Sequence, residues 1–270
     1  MSGDLVPRLP AHAVETISQF LRAHALRDGA EGVVVGLSGG IDSALVARLA
    51  RDALGAEHVL GILLPDASFP GPLLEETKSY ARELGIESRT VPIEPVEKAF
   101  RELLPELGDR VSLGNVKARI RMTVDYAIAR ERHRLVAGTG NKSEILLGYF
   151  TKYGDGGVDL LPLGDLYKTD LRSMAAELGL PKAILDRPPT AGLWEGQTDE
   201  EELGISYADV DQILYGLEQL RTEEEIAGVT GFPLARVREV SDRVARFRHK
   251  RRPPPIPKLR LRTIGIDWRE

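Results

Sequence analysis

The chain has 270 residues, 42% of them hydrophobic, with a formal net charge of −5 and a sequence pI of about 5.7. That length suits one large domain, or one domain with a helical appendage, and the mild acidity gives no reason to expect a nucleic-acid partner. There is no cysteine, which excludes disulfides, thiolate metal sites, a cysteine nucleophile and a cysteine-type glutaminase half from these residues.

No apolar run approaches the ~18 residues of a membrane helix, and the first residues, Met-Ser-Gly-Asp-Leu-Val-Pro-Arg, hold no apolar signal core. The expectation is a cytoplasmic protein with no membrane partner. In chain order, the spacing of apolar residues predicts a helix over 10–28, a buried strand over 32–35 and a helix over 42–54. A strand over 59–64, a helix over 71–84, a strand over 86–92 and a helix over 95–107 follow. A long helix covers 115–132, and a short strand covers 134–138. From about 168 onward the pattern is mostly helical. Strands alternating with helices argue for an α/β fold, a doubly wound and mainly parallel sheet with helices on both faces and a helical C-terminal part. The expected organisation of 1–270 is one domain, with a nucleotide-binding core to about 165, a helical part and lid to about 257, and a tail over 258–270. Low complexity is confined to His249-Lys250-Arg251-Arg252-Pro253-Pro254-Pro255.

The most informative stretch is Gly36-Leu37-Ser38-Gly39-Gly40-Ile41-Asp42-Ser43. It joins a buried strand to a helix. Small residues there let backbone approach a phosphate, and the free N–H groups of the first helical turn attract anions. It is not a Walker A loop, because the Gly-Lys-Ser/Thr ending is absent. Asp42 makes sense in such a place if it holds Mg²⁺ that bridges to phosphate. The bland alternative is an ordinary glycine turn. This loop resembles the SGGxDS pyrophosphate loop of the ATP pyrophosphatase superfamily, whose members split ATP between the α and β phosphates and activate a substrate as its adenylate.

Gly138-Thr139-Gly140-Asn141-Lys142-Ser143-Glu144 is a second glycine turn after a strand. In a parallel sheet it lies on the same edge as the first. Glu144 and Asp42 then share one Mg²⁺; alone, Glu144 reads as a first-turn acid favoured by the helix dipole. In Tyr149-Phe150-Thr151-Lys152-Tyr153-Gly154-Asp155-Gly156-Gly157-Val158-Asp159 the glycines suggest a backbone shaped around a ligand. A flexible loop is the plainer reading. Lys117 and Arg121 share one helix face while Arg119 points elsewhere. They form either a solvated basic face or a site for carboxylate and phosphate. His249 to Arg252 reads alone as a solvated tail. The polar segment 191–204 is a mobile lid or a plain surface loop.

Together NVKARIRM, GTGNKSE, FTKYGDGG, LYKTDLR, Pro189-Thr190-Ala191 and HKRRPPP, in that order, resemble NAD synthetase over about residues 10–257. GTGNKSE departs from the Gly-Thr-Asp-His-x-x-Glu of many bacterial members but retains Thr and Glu. The resemblance implies an adenine nucleotide α-hydrolase-like fold and amidation of deamido-NAD to NAD. ATP is the co-substrate, AMP and pyrophosphate are products, and the nitrogen comes from ammonia because the glutaminase half is lacking. It implies that Gly36 to Ser43, Thr139, Lys168 and Thr190 contact ATP. It implies that Asp42 and Glu144 hold Mg²⁺, and that Arg119, Lys152, Asp159, His249 and Lys250 contact deamido-NAD. Lys168 supplies a cation for phosphate charge in a site that lacks the Walker lysine, and Asp155 is the candidate for holding ammonium near the adenylate and easing loss of its proton. A homodimer is implied as well, with the apolar face of the 115–132 helix available for that contact. Two other readings are a different amidating or thiolating member of the superfamily, which would lack the FTKYGDGG segment, and a non-catalytic nucleotide-binding module, which need not keep Asp42, Glu144 and Lys168 together.

Overall fold

In a computed structural model of the chain, residues 4–27, 29–194, 196–264 and 267 are described. Glu195 of the expected lid and several tail residues lie outside them. Helix α1 (Ala13–Ala25) buries Ala13, Ile17, Leu21 and Ala25, one residue per turn along a single face. Strand β1 (Val33–Gly36) follows, then α2 (Ile41–Leu54), β2 (Val59–Leu63), α3 (Gly71–Glu83) and β3 (Glu87–Thr90). After these come α4 (Glu94–Leu103), α5 (Arg110–Glu131), β4 (Leu135–Val136) and α6 (Lys142–Leu147). The C-terminal part is helical: α7 (Lys168–Glu177), α8 (Lys182–Leu185), α9 (Asp199–Leu203), α10 (Tyr207–Glu218), α11 (Glu223–Thr230) and α12 (Leu234–Arg246).

The strands form one parallel sheet in the order β3-β2-β1-β4. Val33 aligns with Val59 on one side and with Leu135 on the other. A lone parallel bridge between Ala137 and Leu160 continues the pairing beyond β4. Val33 and Val35 pack with Ile17, Leu45 and Leu171 on one face, while Val34 packs with Leu60, Ile62, Ile120 and Ile128 on the other. Both faces are covered, which is why β1 is apolar without alternation. A separate all-helical core joins Val210, Ile213, Leu214, Ile226 and Val237.

The order of strands positions the site. The chain builds outward from β1 to β2 to β3, then returns to lay β4 on the other side of β1. Open α/β sheets bind ligands at such a reversal, in the crevice beyond the carboxyl ends of the strands. The loops leaving β1 and β4 are the two glycine turns of the sequence.

Several boundaries move. The first helix is shorter than 10–28, and the last expected strand shrinks to Leu135–Val136. Helix α5 starts at Arg110 rather than 115, because Asp109 caps it: Asp109 Oδ1 accepts from the Ser112 N–H at 2.8 Å. Among the described residues no helix is long and apolar enough to cross a membrane.

The cations of α5 do not form a solvated face. Lys117 and Arg121 turn inward to Asp66, just beyond β2, with Lys117 Nζ 2.8 Å and Arg121 Nη2 3.3 Å from Asp66 Oδ2. Desolvation pushes the Asp66 carboxyl up, but Lys117, Ser68 and Arg121 outweigh it and hold it below the usual range. Nor is the apolar face of α5 open to a dimer partner, since Ile120, Ile128 and Ala129 are buried against the sheet.

One turn beyond Arg121, Asp125 faces the end of β1. A Cβ on Gly36 would lie 3.5 Å from Asp125 Oδ2, and Asp125 Oδ1 is buried with no hydrogen-bond partner among the described residues. Desolvation pushes this carboxyl up to about 7, with Arg121 opposing. A raised folded-state value means that the folded chain holds the proton more tightly than the unfolded one. That stabilisation is complete below the ordinary carboxylate range and is lost as pH rises to about 7. Asp125→Asn removes this dependence. Its melting temperature relative to the parent should therefore rise between about pH 4.5 and about pH 8, followed by thermal melts in matched buffers. A difference that stays constant across that range contradicts the burial argument.

Candidate active site

The first loop is held by its own hydroxyls. Ser43 Oγ donates to the Gly40 carbonyl at 3.0 Å and accepts from the Ser38 N–H at 3.2 Å, which ties the turn to the first turn of α2. Gly39 has φ +79°, and a Cβ there would lie 2.6 Å from Leu73 Cδ1. Only glycine serves at that point. The Arg187 guanidinium donates to the Gly39 carbonyl and, at 2.8 Å, to Glu76 Oε2 of α3. In a trans peptide the N–H points away from the C=O, so Arg187 also fixes where the Gly40 N–H faces. Nothing local in the sequence marks Arg187 for this work.

The second loop meets the first. Asn141 caps α6: its Oδ1 accepts from the Glu144 N–H at 3.0 Å, and Glu144 Oε2 accepts from the Asn141 N–H at 3.3 Å. The Asn141 amide then donates to Asp42 Oδ1 at 3.0 Å. Asn141 is wholly buried. Sequence reading passed over it, although the Asn-x-x-Glu spacing is a capping-box signal. Lys168, the first residue of α7, completes the group. Its Nζ lies 2.6 Å from Asp42 Oδ2 and 3.2 Å from Glu144 Oε1, above the Tyr207 ring. Burial works against the ammonium, but Asp42 and Glu144 more than offset it, so the Lys168 pKa is raised. Desolvation pushes the Glu144 carboxyl up, Lys168 opposes, and Asp42 and Asp199 add to the rise.

The expected pair of carboxylates therefore converges on one point, and a cation sits there. The donors are oxygen only, which suits Mg²⁺ with phosphate and water filling the remaining positions. Among the described residues no group of three or more His, Asp or Glu could hold a metal; Asp42 and Glu144 would supply part of a shell rather than a cage. Thr139 lies half-buried between β4 and α6 on the same edge, and Thr190 is exposed, its Oγ1 accepting from the Gly192 N–H at 3.1 Å.

Asp211 of α10 supports this group from behind. Its Oδ1 accepts from Ser143 Oγ at 2.5 Å, and its Oδ2 accepts from Thr169 N and Oγ1 at 3.0 and 2.9 Å. Ser143 Oγ in turn accepts from the Lys168 N–H at 3.0 Å. One buried carboxylate thus aligns the starts of α6 and α7.

The residues expected at the dinucleotide gather around 148–157, mostly through backbone. Lys250 Nζ donates to the carbonyls of Gly148 and Phe150 at 2.7 and 2.6 Å. Lys152 Nζ donates to the His249 carbonyl at 3.1 Å, and Arg119 Nη2 to the Lys152 carbonyl at 3.4 Å. Lys250 and Arg251 are therefore docked, Arg251 on the Leu146 and Val244 carbonyls, while His249 and Arg252 are exposed. Asp159 accepts from Tyr126 Oη at 3.0 Å and from the Val136 N–H at 2.8 Å. The glycines here are shaped around protein, not ligand. A Cβ on Gly156 would meet the Phe150 ring at 2.5 Å, one on Gly157 Met122 at 3.0 Å, and one on Gly154 Thr151 at 2.8 Å. Asp155 still touches solvent, and its Oδ1 accepts from the Thr151 N–H at 2.8 Å. Desolvation is the largest influence on it and raises its pKa, with the Thr151 hydrogen bond and Lys250 opposing.

Asp211→Ala leaves Ser143 and Thr169 without a shared buried acceptor. The cost should be about 3 kcal/mol of unfolding free energy, measured by urea denaturation. An unchanged midpoint would show that Asp211 does not carry this alignment.

The NAD synthase family profile matches residues 13–254. The chain is 48% identical over 250 residues to the NH(3)-dependent NAD(+) synthetase of Methanosarcina acetivorans, across 92% of this chain and 98% of that protein. Among solved structures, the NMN synthetase from Francisella tularensis superposes with a TM-score of 0.81 at 33% identity, covering 92% of this chain and 98% of that one. The NH3-dependent NAD synthetase from Campylobacter jejuni superposes with a TM-score of 0.77 at 32% identity, covering 91% and 98%. With a family profile that matches residues 13–254 and this likeness along almost its whole length, the chain belongs to the NAD synthase family.

Proposed function

We propose that the protein amidates deamido-NAD to NAD with ATP and ammonia, the last step of NAD biosynthesis. The carrying observation is the convergence of Asp42, Glu144 and Lys168 beside the Gly36–Ser43 loop, in a chain that spans nearly all of its ammonia-dependent relatives. A carboxylate resists ammonia because its leaving group would be oxide. In the first step an oxygen of the nicotinate carboxylate attacks the α-phosphorus, the bond to the β-phosphate oxygen breaks, and pyrophosphate leaves. In the second, ammonia attacks the carbonyl carbon of the mixed anhydride. The C–O bond breaks, AMP leaves with that oxygen, and the nitrogen loses a proton.

In this reading Gly36, Leu37, Ser38, Gly39, Gly40, Ile41, Asp42 and Ser43 cradle the phosphates, with Thr139 and Thr190 beside them. Asp42 and Glu144 hold Mg²⁺, which supplies charge neutralisation to the phosphate oxygens when bound. Lys168 now bridges the same carboxylates. Its ammonium would also offset charge on the phosphate oxygens beside the two carboxylates. Arg119 and Lys152 face the dinucleotide. His249, Lys250 and Asp159 contact it as well, while Lys250 also holds the Gly148 and Phe150 carbonyls and Asp159 the Val136 N–H. Asp155 draws ammonium to the anhydride and eases loss of its proton. The whole chain works as one catalytic unit, cytoplasmic and homodimeric. Exposed Val96, Phe100 and Leu103 of α4, Leu104 just after it and Val111 at the start of α5 offer apolar surface for the dimer contact.

The likeness to an NMN synthetase raises a second substrate of the same chemistry, the mononucleotide acid. The test is chromatography of products from purified protein, ATP, Mg²⁺ and ammonium with either acid. NAD, AMP and pyrophosphate should appear in step from deamido-NAD. ADP and phosphate as products would sink the reading, and preference for the mononucleotide would move the substrate.

Asp42→Asn and Glu144→Gln keep size but lose charge. Each should cut the rate by about a hundredfold or more with the fold intact, checked by steady-state rates and circular dichroism. A near-normal rate at ordinary Mg²⁺ in either variant would return that residue to a helix-end role.

Asp155→Asn separates the two steps. The variant should still exchange labelled pyrophosphate into ATP with deamido-NAD present, while NAD formation falls much further. Equal loss of both activities would make Asp155 a loop-shaping residue.

A further inference from the structure

Lys117 is buried among charges, yet one of its hydrogen bonds leaves that cluster. Its Nζ contacts Asp66 at 2.8 Å and lies 3.9 Å from Glu97 Oε1 of α4. It also donates to the Leu193 carbonyl at 3.0 Å. Leu193 belongs to a loop with a pinched base, where the Asp199 N–H donates to the Pro189 carbonyl at 3.1 Å. The path of that loop follows from its contacts. It starts two residues after Arg187, which grips Gly39 of the phosphate loop. It crosses to the first turns of α5 at Leu193, and it ends at Asp199, whose Oδ2 accepts at 3.3 Å from Oη of Tyr207, the residue whose ring lies beneath the Lys168 ammonium. The loop therefore bridges the carboxyl edge of the sheet from the phosphate loop to α5 and back.

Its seat on α5 is specific. A Cβ on Gly114 would lie 3.0 Å from Leu193 Cδ1, so the absence of a side chain there makes room for Leu193. The Arg110 guanidinium stacks 5.0 Å over the Trp194 ring. Inside the loop, the Leu193 N–H donates to Gln197 Oε1 at 2.8 Å. Among the described residues, Lys117 is the one contact of this seat that joins the loop to a strand end, through Asp66.

We infer that Lys117 is a positioning residue that latches the 189–199 loop over the reacting anhydride and so keeps water away from it. The inference rests on the amidation reading. An acyl adenylate is open to water as well as to ammonia. Water attacking the carbonyl carbon expels AMP and restores the starting carboxylate, which consumes ATP without product. Excluding water is what a seated loop contributes at this step.

The test uses Lys117→Met, which keeps the stem and leaves Asp66 paired with Arg121, and Gly114→Val, which pushes Leu193 off α5 and leaves every ion pair intact. Both are read in a Trp268→Phe background, so that Trp194 is the only tryptophan of the chain. AMP formed per NAD should rise about threefold or more in both variants at limiting ammonia, and Trp194 emission should shift to the red. A wild-type ratio, or an unshifted emission, in a folded Gly114→Val protein overturns the latch even if Lys117→Met fails to fold. Parent protein that makes no AMP from ATP and deamido-NAD refutes the assigned reaction instead, and the emission of the two variants still decides whether Lys117 seats the loop.

Discussion

The Lys168 ammonium stands between Asp42 and Glu144, and the rest of the site depends on that three-way contact. Two carboxylates held this close repel each other by about 4 kcal/mol at a typical protein dielectric. A buried cation between them reverses the sign. The three residues come from three separate segments: the loop after β1, the loop after β4, and the start of the helical C-terminal part. Their contact therefore fastens the helical part to the sheet edge. Asn141 adds a neutral bridge between the two loops, and Asp211 aligns the helix starts behind them.

Why the contact forms at that place is a matter of topology. Parallel strands put every βα loop on one edge, and the return of the chain from β3 to β4 makes two of those loops neighbours. Acidic side chains at adjacent helix starts then share a crevice. The same edge takes the 189–199 loop, held by Arg187 at one end and by Lys117 in its middle. A site built this way needs little covalent chemistry from the protein. Under the proposed amidation it aligns one nucleotidyl transfer and one acyl transfer and keeps charge balanced while groups leave.

Much of this was legible in the residues. Gly36 to Ser43 read as strand, turn and helix because the signal is local: apolar run, glycines, hydroxyls, then helical spacing. The meeting of Asp42 with Glu144 followed from a parallel sheet alone. What escaped depends on partners distant in sequence or hidden in the backbone. Lys117 and Arg121 share a helix face in any reading, but nothing in that spacing reveals that Asp66 waits beneath them. Lys250 and Asp159 look like ligand residues, yet they hold the Gly148 and Phe150 carbonyls and the Val136 N–H, groups that every sequence contains and none displays. The glycines at 154, 156 and 157 make room for Thr151, Phe150 and Met122, and a run of glycines cannot say which neighbour needs the space. Helix ends moved where a cap decided them, as Asp109 did for α5.

The most direct test of the three-way contact is a double-mutant cycle on unfolding free energy with Asp42→Asn and Lys168→Met. Lys168→Met leaves Asp42 and Glu144 facing each other without their cation, a loss of about 3–5 kcal/mol, whereas Asp42→Asn leaves Lys168 paired with Glu144 and costs less. Removing both relieves the repulsion between Asp42 and Glu144 and counts the lost Asp42–Lys168 attraction once, so the double variant should be clearly more stable than the sum of the single losses predicts. Additive losses would mean that Lys168 and Asp42 do not interact in the folded protein, and the convergence on which this account rests would be absent.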